Sequence, residues 1–342
     1  MQCGGYNSHG QLGNGTMGEN KTAPMTVGDP PLTLEFPCPD SCAPAAPSPQ
    51  SKYSFMCAGW AHYCAIVNGT TSGSNVLCWG EPGTHNGELG FDTTATRPYA
   101  GIHTVSVDLG VDAFGTKDTA KSISCGGYFT CVILSNDTVK CSGRELGNGN
   151  LGQDSEDNIG DGSSTTFPTV SGTPVINLGN TSTVKMLATG YQHACVITTT
   201  DEVKCWGCNL NGQLGIDSVT ADGTPMNPMP PGATNVVGPD TSSPPPYATH
   251  VSTGFAHTCV LLSNGDAKYW GDNSYGAAGA GNLPGKDGDS SMKFGTSQSV
   301  GGVAGEIAKL GTLDLGTSVI VTDIKAGRDV TCAIMSDGNV WC

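Results

Sequence analysis

Apolar and polar positions along Cys195 to Gly215, CVITTTDEVKCWGCNLNGQLG, fall into two short apolar runs around a polar stretch, followed by a glycine-rich exit. That order predicts two antiparallel strands joined by a tight turn. The phrase recurs as CAIVNGTTSGSNVLCWGEPGTHNGELG from Cys64, CVILSNDTVKCSGRELGNGNLG from Cys131, CVLLSNGDAKYWGDNSYGAAG from Cys259, CAIMSDGNVWC from Cys332 and CGGYNSHGQLG from Cys3. A repeat of this length predicts an array of supersecondary units, each too small to bury its apolar face alone.

The turns set the register. If Ser336, Asp337 and Gly338 form a three-residue loop with Gly338 in the left-handed region, Met335 faces Asn339 and Cys332 faces Cys342. The same construction on Thr199 to Asp201 sets Cys195 opposite Cys205, and on Ser135 to Asp137 sets Cys131 opposite Cys141. A longer loop, Asn68 to Ser74, keeps Cys64 opposite Cys78. Opposed residues of an antiparallel pair have the spacing that a disulfide needs, so four disulfides are expected, each contributing about 2 to 3 kcal/mol. In the remaining hairpin Cys259 faces Tyr269 and is expected to be free or to pair elsewhere.

With the third-strand cysteine as marker, copies stand at 3, 78, 141, 205, 269 (Tyr269 substituting) and 342, which gives five periods. Each period holds four strand candidates. One ends in apolar-Leu-Gly (VSVDLG to Gly110, PVINLG to Gly179, TLDLG to Gly316), one leads into glycine (SISCGG, KMLATG, HVSTG, DIKAG), and two form the hairpin. Four short antiparallel strands per period predict an all-β propeller blade.

Three elements recur in one order: glycine followed by His-x-Cys (Gly190 with His193 and Cys195, Gly254 with His257 and Cys259), then Trp-Gly at Trp79, Trp206 and Trp270, then Asn-x-x-Gly-Gln-Leu-Gly at Asn7 to Gly13 and Asn209 to Gly215. In these the chain resembles the regulator-of-chromosome-condensation repeat propellers, over nearly its whole length. The paired cysteines resemble the secreted, cysteine-rich branch of that family. The resemblance implies a closed ring, usually of seven blades, whereas the chain has five periods. Met1 to Cys3 and Val340 to Cys342 occupy the same place in the repeat, so Cys3 lacks a hairpin partner. The expectation is a single propeller-repeat domain or segment over 1–342. It is read as part of a longer protein or of a head-to-tail assembly, with a closed five-bladed ring as the alternative. Two proline-rich inserts, 36–54 and 225–249, interrupt the period. The first holds Cys38 and Cys42, close enough for a local disulfide. The second contains Ser243 with Pro244, Pro245, Pro246 and Tyr247, a run resembling the extensin-type motif of wall glycoproteins, whose prolines carry sugar, and equally readable as a rigid surface linker.

Charge narrows the partners. With 30 acidic and 15 basic residues the net charge is −15, against a nucleic-acid partner, which needs clustered cations. No apolar run is long enough to span a bilayer, and MQCGGYNSHG lacks the basic start and apolar core of a signal peptide. Fifteen cysteines point to an oxidising compartment. Sequons at Asn14, Asn20, Asn68, Asn136 and Asn180 agree, Asn68 and Asn136 lying in hairpin loops. A secreted or cell-surface location is expected, with covalently attached glycans.

No catalytic residue, cofactor or metal site emerges. Gly13 to Gly18 and Gly147 to Gly152 satisfy G-x-G-x-x-G without the strand-to-helix setting that binds pyrophosphate, so these are turn glycines. His62, His193 and His257 recur with the repeat, as structural imidazoles bonded to nearby backbone would. Asp154, Glu156, Asp157 and Asp161 lack calcium-loop spacing, and Cys205 of the C-x-x-C at Cys205 to Cys208 is committed to its hairpin. The expected function is therefore a non-enzymatic extracellular structural or adhesive glycoprotein that associates with its own kind or with neighbouring subunits. The alternative is a secreted module that captures a protein on its rim. The rim loops, rich in Gly, Ser, Thr, Asn and Pro, favour the former.

Overall fold

Five antiparallel sheets follow one another along the chain in a computed structural model that describes residues 53–67, 75–80, 87, 89, 105–111, 116–153, 155, 157–161, 169–179, 183–216, 233–234, 244–272, 293–294 and 320–342. Cys3, Cys38, Cys42, Asn14, Asn20, Asn68, Asn180 and almost all of both inserts lie outside those residues. No helix occurs among the described residues, and so none is long and apolar enough to cross a membrane.

The first blade is β1 (Tyr53–Ala58), β2 (His62–Val67), β3 (Val76–Gly80) and β4 (Val105–Ser106). The second is β5 (Ala120–Cys125), β6 (Phe129–Leu134) and β7 (Val139–Gly143). The third is β8 (Val184–Thr189), β9 (His193–Thr198), β10 (Val203–Gly207) and β11 (Ala233–Thr234). The fourth is β12 (Ala248–Thr253), β13 (His257–Leu262), β14 (Ala267–Asp272) and β15 (Lys293–Phe294). The fifth is β16 (Val321–Ala326), β17 (Thr331–Met335) and β18 (Val340–Trp341). Neighbours in sequence are neighbours in each sheet.

The hairpin register follows from the loops. Cys195 pairs with Cys205, Cys64 with Cys78 and Cys259 with Tyr269. The third loop residue takes a positive φ in four hairpins: Asp137 and Asp201 at 67°, Gly265 at 87° and Gly338 at 84°. Aspartate tolerates this region better than most side chains, so the turn survives without glycine.

The outermost strand is shorter than the sequence implies. β4, β11 and β15 each have two residues, and the second and fifth blades show three strands among the described residues. Along Val175 to Gly179 the chain keeps one ladder bond, Ile176 N to Val139 O at 2.8 Å, before Asn177 Oδ1 accepts the Gly179 amide at 3.0 Å and turns it away. Buried lysines take over from the missing ladder. Lys140 Nζ donates to Leu109 O at 2.8 Å and Lys204 Nζ to Leu178 O at 2.5 Å.

Two compact units result. The first comprises Met1–Ser135, Lys140–Arg144 and Asp157–Val175; the second comprises Asn136–Val139, Glu145–Glu156 and Ile176–Cys342. In the first, Cys64, Ile66, Val76 and Cys78 share a core with Ala120, Ile123 and Val132 of the next blade. In the second, Cys195, Ile197, Val203 and Cys205 join Ala248 and Val251, and the cluster continues through Cys259 and Tyr269 to Val321, Ile324 and Met335. The hairpin faces of the first, third and fourth blades are thus buried by the blade that follows, as a repeat array requires.

Candidate functional site

The turn between the first two strands of each blade is built on glycine for a steric reason. Gly59, Gly190 and Gly254 each donate to the carbonyl of the histidine three residues on, at 2.8, 2.8 and 2.9 Å. A Cβ on Gly190 would stand 2.3 Å from His193 Cε1 and 2.5 Å from Gly254 O, so the imidazole and the next turn occupy the space a side chain would need. The histidine then reaches into the following blade. His62 Nε2 is 2.8 Å from Thr130 Oγ1, His193 Nε2 3.0 Å from Thr258 Oγ1, and His257 Nε2 3.3 Å from Thr331 Oγ1. The partner is therefore a threonine hydroxyl of the next blade, where nearby backbone was expected.

The rest of the repeat signature completes this clasp. Gln213 O accepts Thr258 Oγ1 at 2.8 Å and Trp270 Nε1 at 2.9 Å, while Leu214 N donates to Asn209 Oδ1 at 3.0 Å and closes the loop. Asn150 O accepts Trp206 Nε1 at 3.2 Å in the same way. There Glu145 replaces the loop asparagine and takes the amides of Asn148 and Gly149, both at 2.9 Å. Burial raises the Glu145 pKa against these donors. Gly147, Gly149 and Gly152 all have positive φ, so this G-x-G-x-x-G is a turn that seats a tryptophan indole. Burial drives the three histidines down, His62 and His257 to about 4 and His193 to about 3, so all are neutral at neutral pH.

Disulfides join Cys64 to Cys78, Cys131 to Cys141, Cys195 to Cys205 and Cys332 to Cys342. A fifth, Cys57 to Cys125, links β1 of the first blade to β5 of the second, and the repeat pattern gave no partner for either cysteine. Their signal was position: Cys57 stands two residues before the turn glycine Gly59, and Cys125 one before Gly126. Cys208 and Cys259 are buried outside these bonds. Asn136 is exposed at its hairpin tip, where its Oδ1 accepts Thr138 Oγ1 at 2.6 Å and Thr138 N at 3.1 Å. Pro244 and Pro245 are exposed, and Tyr247 is tied to Ser263 as its chain enters β12, its amide donating to Ser263 Oγ at 3.2 Å.

The same glycine turns carry a second feature, which the sequence reading missed. The residue after the turn glycine is Trp60, Gly127, Tyr191, Phe255 and Arg328 in successive blades, and in the second blade the aromatic stands one place later, at Tyr128. In the first unit Trp60, 55% exposed, stacks on Tyr128 at 6.5 Å, and the Arg144 guanidinium lies 5.9 Å above the Tyr128 ring. In the second, Tyr191 stacks on Phe255 at 4.3 Å and Arg328 covers Phe255 at 5.3 Å. Backbone holds the rows straight, Trp60 N donating to Gly127 O at 3.1 Å and Phe255 N to Arg328 O at 3.0 Å. The signal was the residue between glycine and histidine in Gly59-Trp60-Ala61-His62, Gly190-Tyr191-Gln192-His193 and Gly254-Phe255-Ala256-His257, which varies only among aromatics.

Residues 120–153, 184–213 and 248–277 match the family model described as the regulator of chromosome condensation (RCC1) repeat. The ultraviolet-B receptor UVR8 of Arabidopsis thaliana is 26% identical over 245 residues, which cover 71% of this chain and 46% of the receptor. Among solved structures, Prp20p of Saccharomyces cerevisiae aligns with 99% of this chain and 64% of its own at 18% identity and a TM-score of 0.61. Yeast RCC1 (Prp20) in its complex with Kap60 aligns with 83% of this chain and 54% of its own at 17% identity and a TM-score of 0.58. The chain spans about half the length of the curated relative it matches.

Proposed function

We propose that this chain, whose repeats match the RCC1 repeat of β-propellers, is a disulfide-stapled binding module that captures a protein partner at the aromatic residues of its glycine turns. The observation that carries this reading is the aromatic and arginine row of Trp60, Tyr128 and Arg144 in one unit and Tyr191, Phe255 and Arg328 in the other. Trp, Tyr and Arg dominate the energetics of protein interfaces, because large flat groups bury much surface at little entropic cost. Here neighbouring rings and backbone bonds already hold them in place, so little ordering remains to oppose binding. The choice between a coat and a binder rests on the turns. Relatives add support: yeast RCC1 (Prp20) has been solved bound to Kap60, and the structure of Prp20p was described with its binding properties to Gsp1p and histones.

The test is site-specific photo-cross-linking in native extract. A benzophenone side chain at Trp60 or Phe255 should yield a discrete protein adduct, which the same probe at the Asn264 hairpin tip should not. Equal adducts from both places, or none from the turns, would refute the reading.

Asn136 favours a second, compatible reading, a secreted or surface glycoprotein with structural or adhesive use. Its exposed amide is already bonded to the hydroxyl of its own sequon. An N-glycan on Asn136 in native material, found by mass shift on deglycosylation, supports it; an unmodified Asn136 counts against it.

A further inference from the structure

The junction of the first two blades gathers two disulfides and a histidine where, among the described residues, the junctions within the second unit each have at most one disulfide. Cys57 pairs across the sheet with Cys64, which pairs with Cys78, so three cysteines stand abreast on neighbouring strands. Side chains directly opposed in an antiparallel ladder share one face. Cys125 approaches from the second blade and is bonded to Cys57. The ligating atoms of His62, Cys64 and Cys125 all lie within 4.8 Å of one another, so the two disulfides come closest at the Cys64 and Cys125 sulfurs, within 4.8 Å. Between them sits the Thr130 hydroxyl, 2.8 Å from His62 Nε2, 3.7 Å from Cys64 Sγ and 3.9 Å from Cys125 Sγ.

The repeat supplies its own control. The place of Cys57 is taken by Ser124, Ala188, Ser252 and Lys325 in the other blades, each paired to the hairpin cysteine of its sheet. The place of Cys125 is taken by Thr189, Thr253 and Ala326. The His-Thr clasp recurs at Thr258 and Thr331 without extra sulfur, so the cysteine pair at this junction is an addition to a fold that does not need it.

We propose that Cys57, Cys64, Cys78 and Cys125 form a thiol–disulfide exchange site, which accepts an incoming thiolate at the partly exposed Cys57 and passes the open valence to Cys78. The incoming thiolate attacks Cys57 Sγ, makes a mixed disulfide and releases Cys125 as thiolate. Cys125 then attacks Cys64 Sγ, forming the Cys64–Cys125 bond and expelling Cys78 as thiolate, which takes a proton from solvent. Two bonds form and two break; no oxidant or reductant is consumed. The Thr130 hydroxyl stands beside both sulfurs between which the new bond forms, next to the Cys125 thiolate before it attacks, and the neutral His62 ring fixes that hydroxyl. The ligand class is a cysteine thiol on a small molecule or protein.

The full chain carrying Cys57→Ser starts one step in, with Cys125 as a thiol beside Cys64–Cys78. Held at about pH 8, where thiols are partly ionised, then alkylated and digested without reductant, it should show added label shared between Cys125 and Cys78, with a Cys64–Cys125 cross-link alongside Cys64–Cys78. Added label confined to Cys125 overturns the proposal. Cys78→Ser enters from the other side and should move label from Cys64 to Cys57; label fixed on Cys64 likewise overturns it. In Cys205→Ser the Cys195 thiol has Ala188 and Thr253 at the corresponding positions, and its label should stay put. Migration there too would mean that exchange occurs in unfolded chains, and the site would lose its meaning.

Discussion

The third and fourth blades are built on one plan and differ in how their hairpins are closed. Both bury the tryptophan of the Trp-Gly pair, Trp206 and Trp270, both send a histidine to a threonine of the next blade, and both keep the same strand register. In the third, Cys195 is bonded to Cys205. In the fourth, Cys259 remains a buried thiol, pushed up to about 12 by burial, and Tyr269 fills the place of its partner. The Tyr269 ring stacks on His257 at 5.1 Å, and its hydroxyl donates to Asp272 O. One blade thus does with an aromatic side chain what the other does with a covalent bond. Packing and the interblade clasp define the blade, and the disulfide reinforces a structure already specified.

If so, the largest loss should come from the shared feature. Trp270→Ala is expected to cost about 3 to 5 kcal/mol, the usual range for a buried aromatic, and Trp206→Ala about as much despite its blade's disulfide; thermal unfolding of the two variants makes the test. A much smaller loss for Trp206→Ala would mean that the covalent bond, after all, carries the third blade. Next in size, replacing Cys195 and Cys205 together by alanine should cost about 2 to 3 kcal/mol, since the closed loop is short, with the register of β9 and β10 unchanged by amide exchange.

A smaller effect separates the blades by pH. Burial holds His193 at about 3 and His257 at about 4, below the 6.5 of an exposed imidazole. Between those values the unfolded chain binds more protons than the folded one, so stability falls as pH drops through that window and is level above it. At about pH 5 each such histidine removes about 2 kcal/mol. His193→Gln should therefore flatten the fall in melting temperature between neutral pH and about pH 5; an unchanged slope would show that the imidazole is reached by solvent. The smallest effect belongs to the loops. Asp201→Gly, which matches the fourth blade's Gly265, relieves a positive φ but removes the exposed ion pair with Lys185, and the net change should stay within about 1 kcal/mol.

Much of this architecture was legible in the chain. Three-residue loops fixed the register of the hairpins, because one residue in the left-handed region admits a single pairing of the flanking strands, and the period announced the blades. The outer strand was less legible. VSVDLG and PVINLG read as strands from their apolar residues, but Asp108 and Asn177 each accept the amide two residues ahead, and that local turn competes with the ladder. The aromatic row and the Cys57–Cys125 bond were less legible still. Both depend on which blade sits beside which, and a pattern read within one repeat cannot express a contact between two.

That bond also sets how the chain would answer to tension. Hairpin disulfides between cysteines 10 or 14 residues apart shield only short lengths from stretching, whereas Cys57–Cys125 bridges a separation of 68 residues. At about 3.5 Å per extended residue it withholds roughly 240 Å of contour. A pull on the two ends would pass through one sulfur–sulfur link and leave everything between Cys57 and Cys125 slack, so the first blade could lose its fold without lengthening the molecule. Exchange at that link, and not unfolding, would release the stored length.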